Sequence, residues 1–182
     1  MYLISAYFDE NTNKILKHLQ QRIADKTGND FMIRNNVMPH LTISAIEARN
    51  VDVLIPAFEK VCRGKLQPLE EKSVANNTIN IVSVGQLFPR VIYAAPVLNE
   101  YMMNLSISIY NEFATIPETN ISKFYQPYSW MPHITLGKCL DKEQMRQAFA
   151  VLQDLFMPID GRITKIGLST VNPYREVMSV AL

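Results

Sequence analysis

Short apolar runs alternate with helix-period stripes along the chain, and no Ser/Gly linker, charge block or low-complexity tract divides them. Residues 1–8 form a nearly continuous apolar run and predict a first strand. Asp9 to Asn13 offer capping side chains, and Ile15, Leu16, Leu19 and Ile23 then recur at helical spacing as far as Lys26, before Gly28-Asn29-Asp30 breaks the helix. Val37 to Ile46 predicts a second strand. Asp52 can open a helix carrying Val53, Leu54, Ala57, Phe58 and Val61 that ends before Gly64. Leu69 to Ala95 reads as two or three strands, with Ile79, Ile81 and Ser83 alternating with Asn80, Val82 and Val84. Asn99 to Phe113 is a helix with Met102, Leu105, Ile109 and Phe113 on one face, followed by a loop from Ile116 to Ser129. A strand from Trp130 to Cys139, a helix from Asp141 through Leu152, and strands near Arg162–Ser169 and Glu176–Leu182 complete the chain. This order predicts an α+β architecture with two similar halves in one bilobal domain spanning residues 1–182.

Length and charge narrow the field. A chain of 182 residues buries roughly 70% of its unfolded surface, so it needs no disulfide or metal staple. Eighteen Lys+Arg against 17 Asp+Glu leave a net charge of +1. That balance argues against a sequence-independent binder of duplex DNA but allows a local basic pocket. The longest mid-chain apolar stretch, Val91 to Leu98, includes Pro96 and falls far short of the ~20 residues a spanning helix needs. The first ten residues lack a basic region ahead of an apolar one, which predicts a strand rather than a signal peptide. Cys62 and Cys139 form no C-x-x-C pair, so two reduced thiols, a cytoplasmic location and no structural zinc are expected.

The informative feature is a repeat. Residues 38–43 read Met-Pro-His-Leu-Thr-Ile and residues 131–136 read Met-Pro-His-Ile-Thr-Leu, and these segments hold two of the chain's three histidines. Finding Thr two residues after two of three histidines is about a 1% coincidence, before the shared proline is counted. In a strand, residues i and i+2 share a face. His40, Thr42 and Ser44 would then share one face of their strand, as would His133, Thr135 and Gly137 of theirs, with Leu41, Ile43, Ile134 and Leu136 turned to the core. Two imidazoles suit displacement at phosphorus: one, neutral, takes a proton from the attacking hydroxyl, and the other, charged, protonates the leaving oxygen. The threonine hydroxyls would donate to the non-bridging oxygens. The scheme requires neither metal nor other cofactor.

The paired Pro-His-x-Thr strands, 93 residues apart, resemble those of the two-histidine (2H) phosphoesterase superfamily, including its 2′-5′ RNA ligase-like and cyclic phosphodiesterase branches. The apolar first strand, Leu87-Phe88-Pro89-Arg90 leading into Val91-Ile92-Tyr93-Ala94, and the late strand Ile163 to Ser169 also resemble that family. The resemblance implies a pseudo-twofold fold with two mostly antiparallel sheets facing a central cleft and helices packed outside. It further implies metal- and ATP-independent cleavage of 2′,3′-cyclic phosphates or 2′-5′ phosphodiesters, with His40, Thr42, His133 and Thr135 as the active quartet.

Other residues are weaker candidates. Tyr174 and Arg175, in a turn before the last strand, can stack a base and pair with phosphate. Tyr7, with Ser5, alternates with Ile4 and Ala6 on the first strand and can line the cleft. Arg90, Lys138 and Arg34 are cationic candidates near the motifs, each reading first as a surface solubilising residue. His18 lies off its helix's apolar stripe and reads as a surface residue. No phosphate-binding G-x-x-x-x-G-K-[ST] loop, G-x-G-x-x-G fingerprint or G-x-S-x-G elbow is present, which argues against ATP-driven ligation. The expected ligands are RNA termini or small nucleotides, met by a monomer with no membrane or duplex-DNA partner. Two rival readings remain: a catalytically idle nucleotide- or RNA-binding module, and a phosphodiesterase for a non-RNA cyclic phosphate such as ADP-ribose 1″,2″-cyclic phosphate.

Overall fold

In the computed structural model, which describes residues 1–66, 77–117, 119–171 and 173–182, strands and helices alternate much as the apolar pattern requires. The order is β1 (Tyr2–Phe8), α1 (Glu10–Thr27), α2 (Phe31–Arg34), β2 (Leu41–Ala48), α3 (Ile55–Leu66), β3 (Thr78–Leu87), β4 (Val91–Pro96), α4 (Glu100–Phe113), β5 (Thr119–Ile121), β6 (Ile134–Lys138), α5 (Lys142–Leu155), β7 (Ile159–Val171) and β8 (Tyr174–Ala181). Short polar side chains start the long helices by meeting their free N–H groups. Asp9 accepts from the Thr12 amide at 2.9 Å, Asn99 from Met102 at 2.9 Å, and Asp141 from Gln144 at 2.8 Å. The Gln144 side-chain oxygen in turn accepts from the Asp141 amide, closing a capping box. Gly28, with φ of 68°, ends α1 in the left-handed conformation that glycine adopts without strain.

Some boundaries differ from the sequence reading. A 3-10 turn at Val51–Val53, capped by Asn50 rather than opened by Asp52, delays α3 to Ile55, and the helix continues through Gly64. The short helix α2 was not foreseen. Of the region expected to hold strands from Leu69, residues 69–76 lie outside the described residues. The two motif strands start at Leu41 and Ile134 instead of Val37 and Trp130. Pro39 and Pro132 have no N–H to give a ladder, so pairing begins only beyond them.

Every strand pairing among the described residues is antiparallel. Strands β2, β1, β7 and β8 lie side by side in one half, with β5 on the far end of β2; β6, β4 and β3 lie side by side in the other. Two links join them into one hydrogen-bonded circuit. Leu41 of β2 pairs with Ile134 of β6. Strand β7 serves both halves: Ile159–Arg162 pair with β3, and the residues from Ile163 onward pair with β1. Helix α1 packs on α5 and α3 on α4. Leu16, Leu19 and Ile23 of α1 join Ile4, Ala6, Leu41, Ile134 and Ala94 of the strands in one buried cluster. Each such Leu or Ile contributes about 1.5–3 kcal/mol by leaving water.

The repeat extends beyond the motifs into the register. In β1 and β2, Ile4 faces Ser44 but Ser5 faces Thr42, so Ile43 is an extra, bulged residue. In β4 and β6, Ile92 faces Gly137 but Tyr93 faces Thr135, so Leu136 is bulged in the same way. Ser5 pairs on its other side with Gly167 of β7, and Tyr93 with Gly85 of β3. The three-stranded units β2-β1-β7 and β6-β4-β3 therefore correspond residue for residue. The bulges correct one expectation. Ser44 shares the face of Ile4 and Gly137 that of Ile92, so neither stays beside its histidine and threonine. A Cβ on Gly137 would meet Ile92, Leu140 and Ile23 of α1, which identifies that face as the helix-covered one.

Candidate active site

Each histidine is held by the chain that leads into its strand. His40 Nδ1 lies 2.7 Å from the Met38 carbonyl, and His133 Nδ1 lies 2.9 Å from the Met131 carbonyl. A carbonyl can only accept, so Nδ1 carries the hydrogen in both rings and Nε2 is left as the nitrogen that exchanges protons. In the antiparallel sense of the Leu41–Ile134 rung, His40 sits across from Thr135 and His133 across from Thr42. Each imidazole thus faces the hydroxyl of the other motif, with directly opposed Cβ atoms about 5 Å apart in such a ladder. Both histidines and Thr135 are half-buried, and Thr42 is buried.

The electrostatics are less symmetric than the backbone. Burial holds the His40 imidazole below the ordinary histidine value. The bond to Met38 opposes that shift, while the charges of His133 and Lys138 add to it. His40 is therefore kept neutral with its Nε2 lone pair available. Tyr7 forms part of the wall that dries it, its ring centred 6.2 Å from that of His40. Tyr93 stands edge-on to His133 at 5.7 Å.

Two buried donors fix the threonine backbones. The Trp130 indole N–H donates to the Thr42 carbonyl at 3.0 Å, so the segment leading into the second motif ties down the first. Gln20 of α1 donates to the Thr135 carbonyl at 3.2 Å. These side-chain contacts stop at the carbonyls. The sequence reading missed Trp130, Gln20 and Tyr93, because nothing in the local pattern tells which distant strand a side chain reaches.

Tyr7 and Tyr174 are brought together, their hydroxyls 2.7 Å apart. Burial and the neighbouring Tyr174 hydroxyl raise the Tyr7 phenol well above its usual value. Lys165 lies over the Tyr7 ring at 4.6 Å and pairs with Glu176 at 2.9 Å. Bonds from Lys165 and Ser179 hold the Glu176 carboxyl below its ordinary value. Arg175 pairs with Thr170 in the next register position after Tyr174, and strand alternation turns it to the other face. Arg90 precedes β4 and donates to the carbonyls of Cys139 and Leu140. That places it at the opposite end of β4 from Ala94, the residue beside Ile134.

Among the described residues, no three His, Cys, Asp or Glu side chains gather as a metal-ligand group. Two concavities, of about 780 and 630 Å³, lie away from the histidines. The polar groups of the first already serve the fold: Asp9 caps α1 and accepts from the Arg162 amide, and Asn80 bonds Asp160. The chemistry, not the size of a hollow, marks the histidine face as the candidate site.

No curated protein matches the chain in sequence. Among solved structures, it is similar to Kluyveromyces marxianus Usb1, with 11% identity, TM-score 0.47, and 100% of this chain and 97% of that one covered. Usb1 from the same organism with uridine monophosphate gives 12% identity and TM-score 0.44 over the same shares. The model of the 2′-5′ RNA ligase superfamily matches residues 18–172, a span that holds both histidine motifs. The chain belongs to the 2′-5′ RNA ligase superfamily of 2H phosphoesterases.

Proposed function

We propose that this protein is a phosphodiesterase that opens 2′,3′-cyclic phosphates or cleaves 2′-5′ linkages at RNA ends or in small nucleotides, using its two histidines and neither metal nor ATP. One observation carries the reading: two Nδ1-anchored imidazoles sit across a single strand rung from two threonines, each presenting Nε2. Neutral His40 takes the proton from the attacking water or ribose hydroxyl as its oxygen bonds to phosphorus. Charge gathering on the non-bridging oxygens is met by the Thr42 and Thr135 hydroxyls. His133, as imidazolium, protonates the ribose oxygen as its bond to phosphorus breaks. Solvent then returns a proton to His133 and removes the one on His40. Tyr7 and Tyr174 on one wall and Tyr93 on the other offer ring faces to the nucleoside parts.

The test is turnover of 2′,3′-cyclic mononucleotides, RNA ending in a cyclic phosphate, and 2′-5′ dinucleotides, all in EDTA. Wild type would be run beside His40→Ala and His133→Ala. Cleavage that persists in EDTA and falls about 10²-fold or more in each variant supports the acid–base pair. Activity unchanged in either variant overturns it. Nucleotide binding without turnover of any substrate would instead describe a binding module.

A further inference from the structure

The near-twofold that relates the histidines does not relate the charges around them. Beyond Thr135 and the bulge at Leu136, β6 turns Gly137 toward α1 and the exposed Lys138 to the opposite, cleft face. Across β1, Lys165 pairs in register with Tyr7 and reaches the same side. Both cations therefore stand on the flank of His40. Their counterparts beside His133 are Ala45, 93 residues before Lys138, and Ser83, which lies two residues before Gly85 in β3 as Lys165 lies two residues before Gly167 in β7. Neither carries charge. Lys165 is neutralised by Glu176 at 2.9 Å. The nearest contact described for Lys138 is the Phe31 ring, 5.8 Å away, which leaves its ammonium directed at solvent beside the site.

Building on the proposed reaction, we infer that Lys138 holds a second phosphate of the substrate, next to the reacting one on the His40 flank. The cleft then prefers chains with neighbouring phosphates over mononucleotides and orients them with an uncharged nucleoside on the His133 flank. Lys138 lies two ladder positions beyond Thr135, opposite Val91 as Thr135 is opposite Tyr93, a rise of about 7 Å, part of which the flexible lysine stem spans. A strongly hydrated ammonium on such a stem grips phosphate as a point charge without demanding one geometry. This suits a single-stranded backbone that varies in torsion. The same charge acts on His40, whose other facing groups are Tyr7 from β1, His133 from the second motif, and the Lys165–Glu176 pair beyond Tyr7.

The test is anisotropy binding of fluorescein-labelled hexauridylate across a salt series, with competition by uridine 3′-monophosphate, for wild type, Lys138→Gln and Lys138→Arg. Lys138→Gln is expected to weaken the hexamer about tenfold, the loss of one charge-assisted contact. It should also flatten the logarithmic salt slope by about 0.7, and narrow the preference for hexamer over monophosphate. Lys138→Arg, which keeps the charge, should retain most of the binding. In any substrate that turns over, the acid limb of the pH profile should move upward in Lys138→Gln. Equal hexamer affinity and slope in wild type and Lys138→Gln overturn the inference. Binding is read without turnover, so a protein that cleaves nothing yet needs Lys138 for the hexamer would sink the proposed reaction and leave this site standing.

Discussion

Leu41 and Ile134 face each other where the two halves of the molecule meet, and that single rung sets His40 and His133 on either side of the join. Neither aliphatic side chain does chemistry; both are fully buried. Their pairing nonetheless determines which threonine each imidazole sees. The quartet is therefore a property of strand register, and shifting one strand by a residue would turn its whole active face away.

The pH dependence of catalysis should show His40 as the base. Burial and the charges of His133 and Lys138 keep its pKa below the usual histidine value, so kcat/KM is expected to rise along an acid limb whose midpoint lies below about 6.5. Tyr7→Ala admits water to the ring, and its midpoint should climb toward the ordinary value. A profile with the same acid limb in wild type and Tyr7→Ala would remove Tyr7 from this role.

Trp130→Phe keeps most of the buried volume but leaves the Thr42 carbonyl unmet. The expected cost is about 1 kcal/mol, or a fall in Tm of about 2–4 °C for a chain of this size. Because the bond orients the Thr42 backbone, kcat should drop more than KM changes. A lower Tm with kcat untouched would make the indole a purely structural strut.

Gly85 is small because Tyr93 lies over it: an added Cβ would stand 2.5 Å from the phenolic oxygen and 2.6 Å from Cζ. Gly85→Ala should cost about 1–3 kcal/mol by overpacking. The penalty should largely vanish in a Tyr93→Ser background, where the side chain matches that of Ser5, the residue at the corresponding position. Additive losses in this double-mutant cycle would place the strain elsewhere.

Asp9 caps α1 and also accepts from the Arg162 amide at 2.7 Å, tying the first helix to β7. Asp9→Ala should lower stability by about 1–2 kcal/mol at neutral pH. Hydrogen bonds from Thr12 and Arg162 outweigh burial and hold this carboxyl below its ordinary value. Its contribution is thus present above the unfolded value of about 3.9 and fades as pH falls through the lower folded one. Thermal melts of the two proteins should converge below about pH 4.

What the chain spells out locally is what could be read from it. Asp9, Asn99 and Asp141 announce their helices because a cap needs only the next three residues, and the Pro-His-x-Thr repeat stands out because both copies are complete. The bulges at Ile43 and Leu136 are different: they exist only relative to a partner strand, so simple alternation placed Ser44 and Gly137 on the wrong face. The Tyr7–Tyr174 contact joins residues 167 apart, and the Trp130–Thr42 bond joins residues 88 apart. Neither leaves a trace in a window of a dozen residues.

Strand β7 has a mechanical consequence. Its first four residues are stitched to β3 and the rest to β1 and β8, so one unbroken beam of 13 residues runs through both walls of the cleft. Nothing like a linker separates those walls on that side. Prying them apart would mean twisting the beam near Arg162 and Ile163 or unzipping its ladder on one side. The gap between the two imidazoles is thus braced like the jaws of a fixed-width spanner.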